Sequence, residues 1–166
     1  MNDTNILVMS DTHGDHSAVS QLLNTYLSAV TAVIHLGDHT NDIGPYAKNA
    51  DIDFHIVSGN TDPTVSAYIE RVIEIAGKKI FITHGHMYDV KDGYERLIDK
   101  ASKLGVDICL FGHSHKHVTF SHNGIVFLNP GSTTKPAVYH EKSYALLSIS
   151  AEGEIKVKPH TFREAV

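Results

Sequence analysis

Five short polar segments carry side chains that can hold a metal ion: Asp11-Thr12-His13-Gly14, Gly37-Asp38-His39, Gly59-Asn60, His84-Gly85-His86 and Gly112-His113-Ser114-His115. Carboxylate, amide oxygen and imidazole are hard or borderline donors, and none of the five segments offers a thiolate. That set suits Mn²⁺, Fe²⁺, Zn²⁺, Co²⁺ or Ni²⁺ and argues against zinc fingers and iron–sulfur clusters. The candidates are Asp11, His13, Asp38, Asn60, His84, His113 and His115. Seven exceed the four donors of a closed zinc site, so two ions sharing one carboxylate is the simpler arrangement. The 13 histidines of the chain never run consecutively, which speaks against a tag.

Each segment follows an apolar run. Ile6–Met9, Ala32–Leu36, Phe54–Val57, Ile80–Thr83 and Val106–Phe111 read as strands. Between them, Ser17–Val30 places Val19, Leu22, Leu23, Tyr26, Leu27 and Val30 at helical spacing, with Asp15 or Ser17 as its cap. Tyr94–Leu104 does the same with Leu97, Ile98, Ala101 and Leu104, and Gly105 suits its stop. Tyr68–Ile75 and Ile80–Thr83 read as a hairpin turning at 76–79, and two more hairpins turn at Asn123-Gly124 and Ala151-Glu152-Gly153. Strand–helix alternation followed by hairpins implies a mixed sheet, or two packed sheets, with helices outside. In such α/β sheets ligands bind beyond the carboxyl ends of the strands, where all five polar segments fall.

Singly, each segment has an ordinary reading. Asp11-Thr12-His13 can cap a helix, Gly37-Asp38 and Gly59-Asn60 are turn dipeptides, and His84 and His86 can be the wet face of a strand. His113 and His115, two imidazoles beside a glycine at a strand end, lean toward a metal. The conjunction of five at one sheet edge favours the metal reading over five coincidences. His117 leads into the next strand and reads as a wet-face or supporting residue.

Size and composition set bounds. A chain of 166 residues without linker or repeat implies one domain over 1–166, burying roughly two thirds of its unfolded surface. The one cysteine, Cys109, lies in the apolar run VDICLF and reads as a small buried hydrophobe, consistent with a cytoplasmic, reducing setting. The acidic start MNDTNILVMSD lacks the charge and length of a signal peptide or membrane span. A formal net charge of −5 and no cluster of lysine and arginine argue against nucleic acid and membrane surfaces.

The ordered set DTHG, GD, GN-x-D, HGH and GHSH resembles the calcineurin-like metallophosphoesterase superfamily, and the short chain resembles its small bacterial and archaeal phosphodiesterase branch. The resemblance implies an α/β fold: a four-layer α/β/β/α sandwich of two mixed sheets flanked by helices. It implies that Asp11, His13 and His115 hold one divalent ion and Asn60, His84 and His113 a second, with Asp38 between them and Mn²⁺ the preferred metal. Ions held so would supply a water that loses its proton near neutral pH and serves as nucleophile on phosphorus, and Asn60 and His86 would stabilise the phosphoryl oxygens. The implied substrate is a small phosphodiester.

Two positions depart from the wider pattern. Many members carry Gly-Asp-x-x-Asp, and here Asn41 stands at the second aspartate position with Asp42 beside it. Many carry a histidine after the Gly-Asn pair that protonates the leaving group, and here it is Thr61. His39 and His86 are the substitutes on the same rim. Asp62 reads as orienting Asn60 or capping a turn. Alternatives are a phosphomonoesterase or nucleotide phosphatase on the same site, and a non-catalytic protein-binding scaffold of the same fold. A DNA-repair type nuclease is disfavoured, because its capping domain and basic groove are missing. Tyr88, Tyr94 and Arg96 either overhang the site or pack a helix on the sandwich edge. Exposed strand edges in the C-terminal hairpins suit a homodimer.

Overall fold

The computed structural model describes residues 3–48, 51–63 and 68–162. Its first strand, β1 (Thr4–Met9), is apolar at every position from Ile6 to Met9 because both faces are covered. Ile6 and Val8 face one core, Leu7 and Met9 another. Helix α1 (His16–Tyr26) follows, and the Asp15 carboxylate caps it by accepting from Ala18 N–H at 3.0 Å. Strands β2 (Ala32–His35) and β3 (Asp53–Ile56) run parallel to β1, with the short helix α2 (Gly44–Ala47) between them. Then come β4 (Glu70–Ile75), β5 (Lys78–Thr83), α3 (Glu95–Leu104), β6 (Ile108–Leu110), β7 (His117–His122), β8 (Ile125–Pro130), β9 (Ser143–Ile149) and β10 (Ile155–Thr161).

Two five-stranded mixed sheets result, in the orders β10-β9-β1-β2-β3 and β4-β5-β6-β8-β7. The first packs on the second through Ile6, Val8, Ile34, Ile80, Ile82, Leu110, Leu128 and Leu147. Its outer face takes Val19, Leu22 and Leu23 of α1, and the outer face of the second takes Leu97 and Ala101 of α3. The layers are therefore α/β/β/α, the sandwich that the resemblance implies. Strands β10 and β7 are edges, as the exposed-edge expectation requires. Among the described residues no helix is long and apolar enough to cross a membrane.

Some boundaries move. Helix α1 stops at Tyr26 rather than Val30, because Thr31 N–H turns to the Asn5 carbonyl (2.8 Å) to enter the sheet. The first hairpin turns on two residues, Ala76 and Gly77, both at positive φ, so Lys78 and Lys79 join β5. Tyr68 lies outside β4 and bridges Val57 instead. The strand expected over Val106–Phe111 pairs only at Ile108–Leu110, the stretch held by both β5 and β8.

Six strands run parallel to one another within their sheets, β1 to β3 in the first and β5, β6 and β8 in the second. Five of them lead into the polar segments singled out above. The sixth, β8, leads into Pro130-Gly131-Ser132-Thr133-Thr134.

Candidate metal centre

The backbone is most distorted where the donors sit. Ten described non-glycine residues have positive φ, and six of them are Asp11, His13, Asp38, His39, His113 and His115. Such conformations cost on the order of 1–3 kcal/mol each and persist only where the surroundings hold them. Here hydrogen bonds do so: Asp11 N–H to the Gly37 carbonyl (2.9 Å), Gly112 N–H to the His84 carbonyl (2.9 Å) and His113 N–H to Asp11 Oδ2 (3.1 Å). Glycines let the segments close up. A Cβ on Gly59 would stand 2.1 Å from Asp38 Oδ1, and one on Gly112 would stand 2.1 Å from Ser10 Oγ.

Ligand atoms of Asp11, His13, Asp38 and His115 lie within 4.8 Å of one another. His115 Nε2 is 3.1 Å from Asp11 Oδ1, and His13 Nε2 is 3.7 Å from Asp38 Oδ2. His84 adjoins through the same two carboxylates, its Nε2 3.5 Å from Asp38 Oδ1 and 3.9 Å from Asp11 Oδ1. His113 Nδ1 stands 3.2 Å from His84 Nε2. Asp38 thus touches both groups.

Hydrogen bonding orients the rings. His84 Nδ1–H donates to the Leu36 carbonyl at 2.7 Å and His115 Nδ1–H to the Lys135 carbonyl, leaving each Nε2 lone pair aimed inward. Asp11 is fully buried, and among the described residues its Oδ1 is left without a settled hydrogen-bond partner, with His115 Nε2 3.1 Å away. A buried, unsatisfied carboxylate oxygen facing bare imidazole nitrogens is what a divalent cation would complete. The residues present therefore fit such an ion.

The electrostatics agree. Burial pushes the Asp11 carboxyl up, but His115, His84 and the Ser10 hydroxyl outweigh it and hold the pKa below the ordinary range. Burial drives His113 down to about 4, helped by His84 and Lys91. His13 and His86 are lowered too, by burial first. These three rings are neutral near pH 7, as ligands must be. His115 alone is raised, by the Asp11 carboxylate beside it.

Behind the donors lies a supporting set. Asp62 accepts from the N–H groups of Asp38 (2.9 Å), Gly59 (2.8 Å) and Thr40 (2.8 Å) and from the Thr40 hydroxyl (3.1 Å). Burial raises its pKa, and these bonds, led by those from Gly59 and Thr40, bring it below the usual value. Gly37 N–H donates to His35 Nδ1 (3.2 Å), so His35 carries its proton on Nε2, which meets Thr12 Oγ1 at 3.2 Å. The Thr12 hydroxyl in turn donates a hydrogen bond to Asp42 Oδ2 at 2.7 Å. That carboxylate also takes Gly14 N–H at 2.8 Å.

Six of the seven expected donors converge. Asn60 is exposed, in the loop that closes on Asp38 through Thr61 N–H (3.0 Å to Oδ1). His86 stands over the second group, its ring centroid 5.5 Å from that of His84 and 6.1 Å from that of His113. His39 flanks the first group, 5.4 Å from the His13 ring. His117 belongs to β7, and its Nε2 meets Thr119 Oγ1 at 3.4 Å. Tyr88 donates to Glu70, Arg96 pairs with Asp89, and Tyr94 packs on Phe111 and Phe120, so these residues belong to the packing of α3 on the outer face of the second sheet.

The five polar segments leave out the end of β8 and the loop that follows it. Ser132 Oγ donates to the Asp11 carbonyl (2.8 Å), Thr134 Oγ1 to the Thr12 carbonyl (2.9 Å) and Asn129 Nδ2 to the Gly112 carbonyl (2.9 Å). The available signal was position: Asn129-Pro130-Gly131-Ser132 is a sixth polar strand end.

A sandwich of this layering, with imidazoles and carboxylates gathered at the ends of its parallel strands, defines a metallophosphoesterase-type protein. The chain belongs to the calcineurin-like phosphoesterase superfamily, whose domain model matches residues 4–152. It is 31% identical over 150 residues to the probable metallophosphoesterase YsnB of Bacillus subtilis, covering 87% of this chain and 84% of that protein. A Streptococcus pneumoniae protein described as a predicted phosphoesterase superposes with a TM-score of 0.79 at 29% identity, covering 98% of this chain and 99% of that one. Wild-type Vps29 from Entamoeba histolytica, solved in complex with Zn²⁺, gives 0.71 at 28% identity, covering 96% and 100%.

Proposed function

We propose that this chain, acting as one cytoplasmic domain over residues 1–166, is a dinuclear metal-dependent phosphodiesterase. The observation that carries the reading is the Asp11–Asp38 pair. Both carboxylates are buried, Asp11 Oδ1 lacks a settled hydrogen-bond partner among the described residues, and imidazole nitrogens of His13, His84 and His115 face them within 4 Å. On this reading Asp11, His13 and His115 hold one ion, Asn60, His84 and His113 hold the other, and Asp38 serves both. Mn²⁺ is the preferred metal.

Divalent ions in such a site supply Lewis-acid polarisation of the phosphoryl oxygens and a nucleophilic water. The chain supplies the rest. Asp11 and Asp38 bring only two negative charges to two dications, so the site attracts a phosphate anion although the chain as a whole carries −5. Asn60 donates its amide N–H to a phosphoryl oxygen. His86, at the rim beside His84 and His113, donates to a second and excludes water from that side. Thr61 stands at the usual general-acid place and cannot serve as an acid, so substrates with acidic leaving groups turn over best. His39, exposed beside His13, is the side chain nearest to that task on the first-ion side.

The test compares bis(p-nitrophenyl) phosphate with p-nitrophenyl phosphate in Mn²⁺, for the wild type and for Asp38→Asn and His113→Ala. The reading requires faster turnover of the diester and loss of turnover and metal in both variants. Faster turnover of the monoester would convert the reading to a phosphomonoesterase or nucleotide phosphatase. The likeness to Vps29 supports a second reading, a protein-binding scaffold. Because that neighbour was solved with Zn²⁺, metal binding alone does not separate the two, and absence of hydrolysis in every metal would favour the scaffold.

A further inference from the structure

Asn129, the last side chain of β8 before Pro130, is fully buried and uses all of its polar hydrogens. One Nδ2–H goes to the Gly112 carbonyl (2.9 Å) and the other to Ser114 Oγ (3.0 Å), while Oδ1 accepts Gly131 N–H (2.9 Å). Gly112 and Ser114 are the two neighbours of His113, and Ser114 is also the residue before His115. One primary amide therefore clamps both sides of the loop whose histidines belong to different ion groups.

The loop needs a clamp. His113 and His115 sit at φ 68° and 57°, where a side chain is strained. Ser114 N–H already turns back to the Gly112 carbonyl (2.8 Å), the same oxygen that Asn129 holds. His115 has two further anchors, its Nδ1–H on the Lys135 carbonyl and its Nε2 beside Asp11. Among the described residues the His113 ring has one close polar neighbour, His84 Nε2, besides the backbone bond to Asp11. Loss of the clamp therefore falls on His113 rather than on His115.

We propose that Asn129 is the positioning residue for the second ion: it fixes the Gly112–Ser114 turn so that His113 Nδ1 stays beside His84 Nε2. The proposal rests on the two-ion reading above and adds to it a division of labour, in which the first ion survives without Asn129 and the second does not.

The test measures binding rather than turnover. Asn129→Asp keeps the shape and replaces the donor with a carboxylate oxygen facing the Gly112 carbonyl. Ser114→Ala removes one of the two clamp bonds. Ser143→Ala, which loses a buried bond to the Pro130 carbonyl (2.7 Å) and touches no donor loop, controls for general loosening. Each protein is titrated with Co²⁺ by calorimetry, and its Mn²⁺ form is examined by electron paramagnetic resonance for an exchange-coupled pair. The wild type and Ser143→Ala should bind two ions with a coupled spectrum. Asn129→Asp should bind one, uncoupled, and Ser114→Ala should hold the second ion about tenfold more weakly or worse, the usual effect of removing support behind a ligand. Two coupled ions in folded Asn129→Asp at wild-type affinity would overturn the proposal, as would equal loss in Ser143→Ala. If Asn129→Asp does not fold, Ser114→Ala decides: an unchanged second affinity overturns it. A wild type that binds fewer than two ions overturns the two-ion reading itself, and is recognised before any variant is made.

Discussion

The backbone N–H of Asp38 donates to the Asp62 carboxylate at 2.9 Å, and that one carboxylate also gathers the N–H groups of Gly59 and Thr40. The loops after β2 and β3 are thereby closed on a common anion. Asp38 in turn accepts Thr61 N–H on Oδ1, so each loop holds the other.

Asp62→Ala should therefore loosen Asp38 without touching a donor atom. Hydrogen bonds to charged groups contribute about 1.5–3 kcal/mol each to stability, and the half-buried position reduces this. We expect a loss of about 2–3 kcal/mol in urea unfolding of the metal-free protein, with metal affinity falling as well. Asp62→Asn should fall between the two. An alanine variant as stable as the wild type would show that the carboxylate is not the closure.

Gly59→Ala should act on the same carboxylate from the other side. The added Cβ would sit 2.1 Å from Asp38 Oδ1 and 2.6 Å from the Asp38 backbone nitrogen, so a side-chain shift alone does not relieve it. Overpacking of this kind costs about 1–3 kcal/mol. Gly44→Ala, whose Cβ meets nothing within 4 Å, is the matched control. Thermal melts and metal titration of both variants check this. Equal behaviour of the two would refute the close approach.

His35 gives the fold a pH dependence. Full burial lowers its pKa to about 4, against 6.5 when exposed, and its Nε2–H joins Thr12 to Asp42. The unfolded chain therefore binds a proton that the folded chain refuses. The stability tied to the neutral ring is complete above about pH 6.5, declines as pH falls, and levels off below about pH 4. The whole effect amounts to about 3 kcal/mol. In chelator-treated protein the stability gap between wild type and His35→Asn should narrow from pH 7.5 to 4.5. A constant gap across that range would remove His35 as the cause.

The legible and illegible parts of the molecule divide on physical grounds. Asp11, His13, Asp38, His84, His113 and His115 could be read from the sequence because imidazole and carboxylate are out of place after apolar strands. Asn129 and Ser132 could not, because an amide and a hydroxyl beside Pro-Gly look like turn chemistry. Their partners are also remote: Ser132 and Asp11 lie 121 positions apart. The run ILVM of β1 announces burial on both faces but does not say which layers cover it, so the pattern alone fits one sheet or two and only the resemblance selects two. The end of α1 was misplaced because Val30 continues the apolar spacing and is itself buried, while its neighbour Thr31 has already turned to Asn5.

Metal should stabilise the fold as well as equip it. Among the described residues Asp11 Oδ1 is buried with no hydrogen bond, and the inward Nε2 atoms of His84 and His115 crowd against carboxylate oxygens and neighbouring imidazole nitrogens. The free chain holds this arrangement against its own electrostatics, and a dication relieves it. A ligand at one hundred times its dissociation constant stabilises by about 2.7 kcal/mol per site, and each kcal/mol is worth about 2–4 °C in a chain of this size. Saturating Mn²⁺ should thus raise Tm by at least about 5 °C over chelator-treated protein. In Asp38→Asn the shift should fall to half or less, because the carboxylate that touches both donor groups is gone. The variant also separates two sources of a shift. Nonspecific binding to the acidic surface would survive the substitution, whereas binding at the strand ends would not. Equal shifts in both proteins, or none in Mn²⁺, Co²⁺, Ni²⁺ and Zn²⁺ alike, would mean that the converging donors hold no ion.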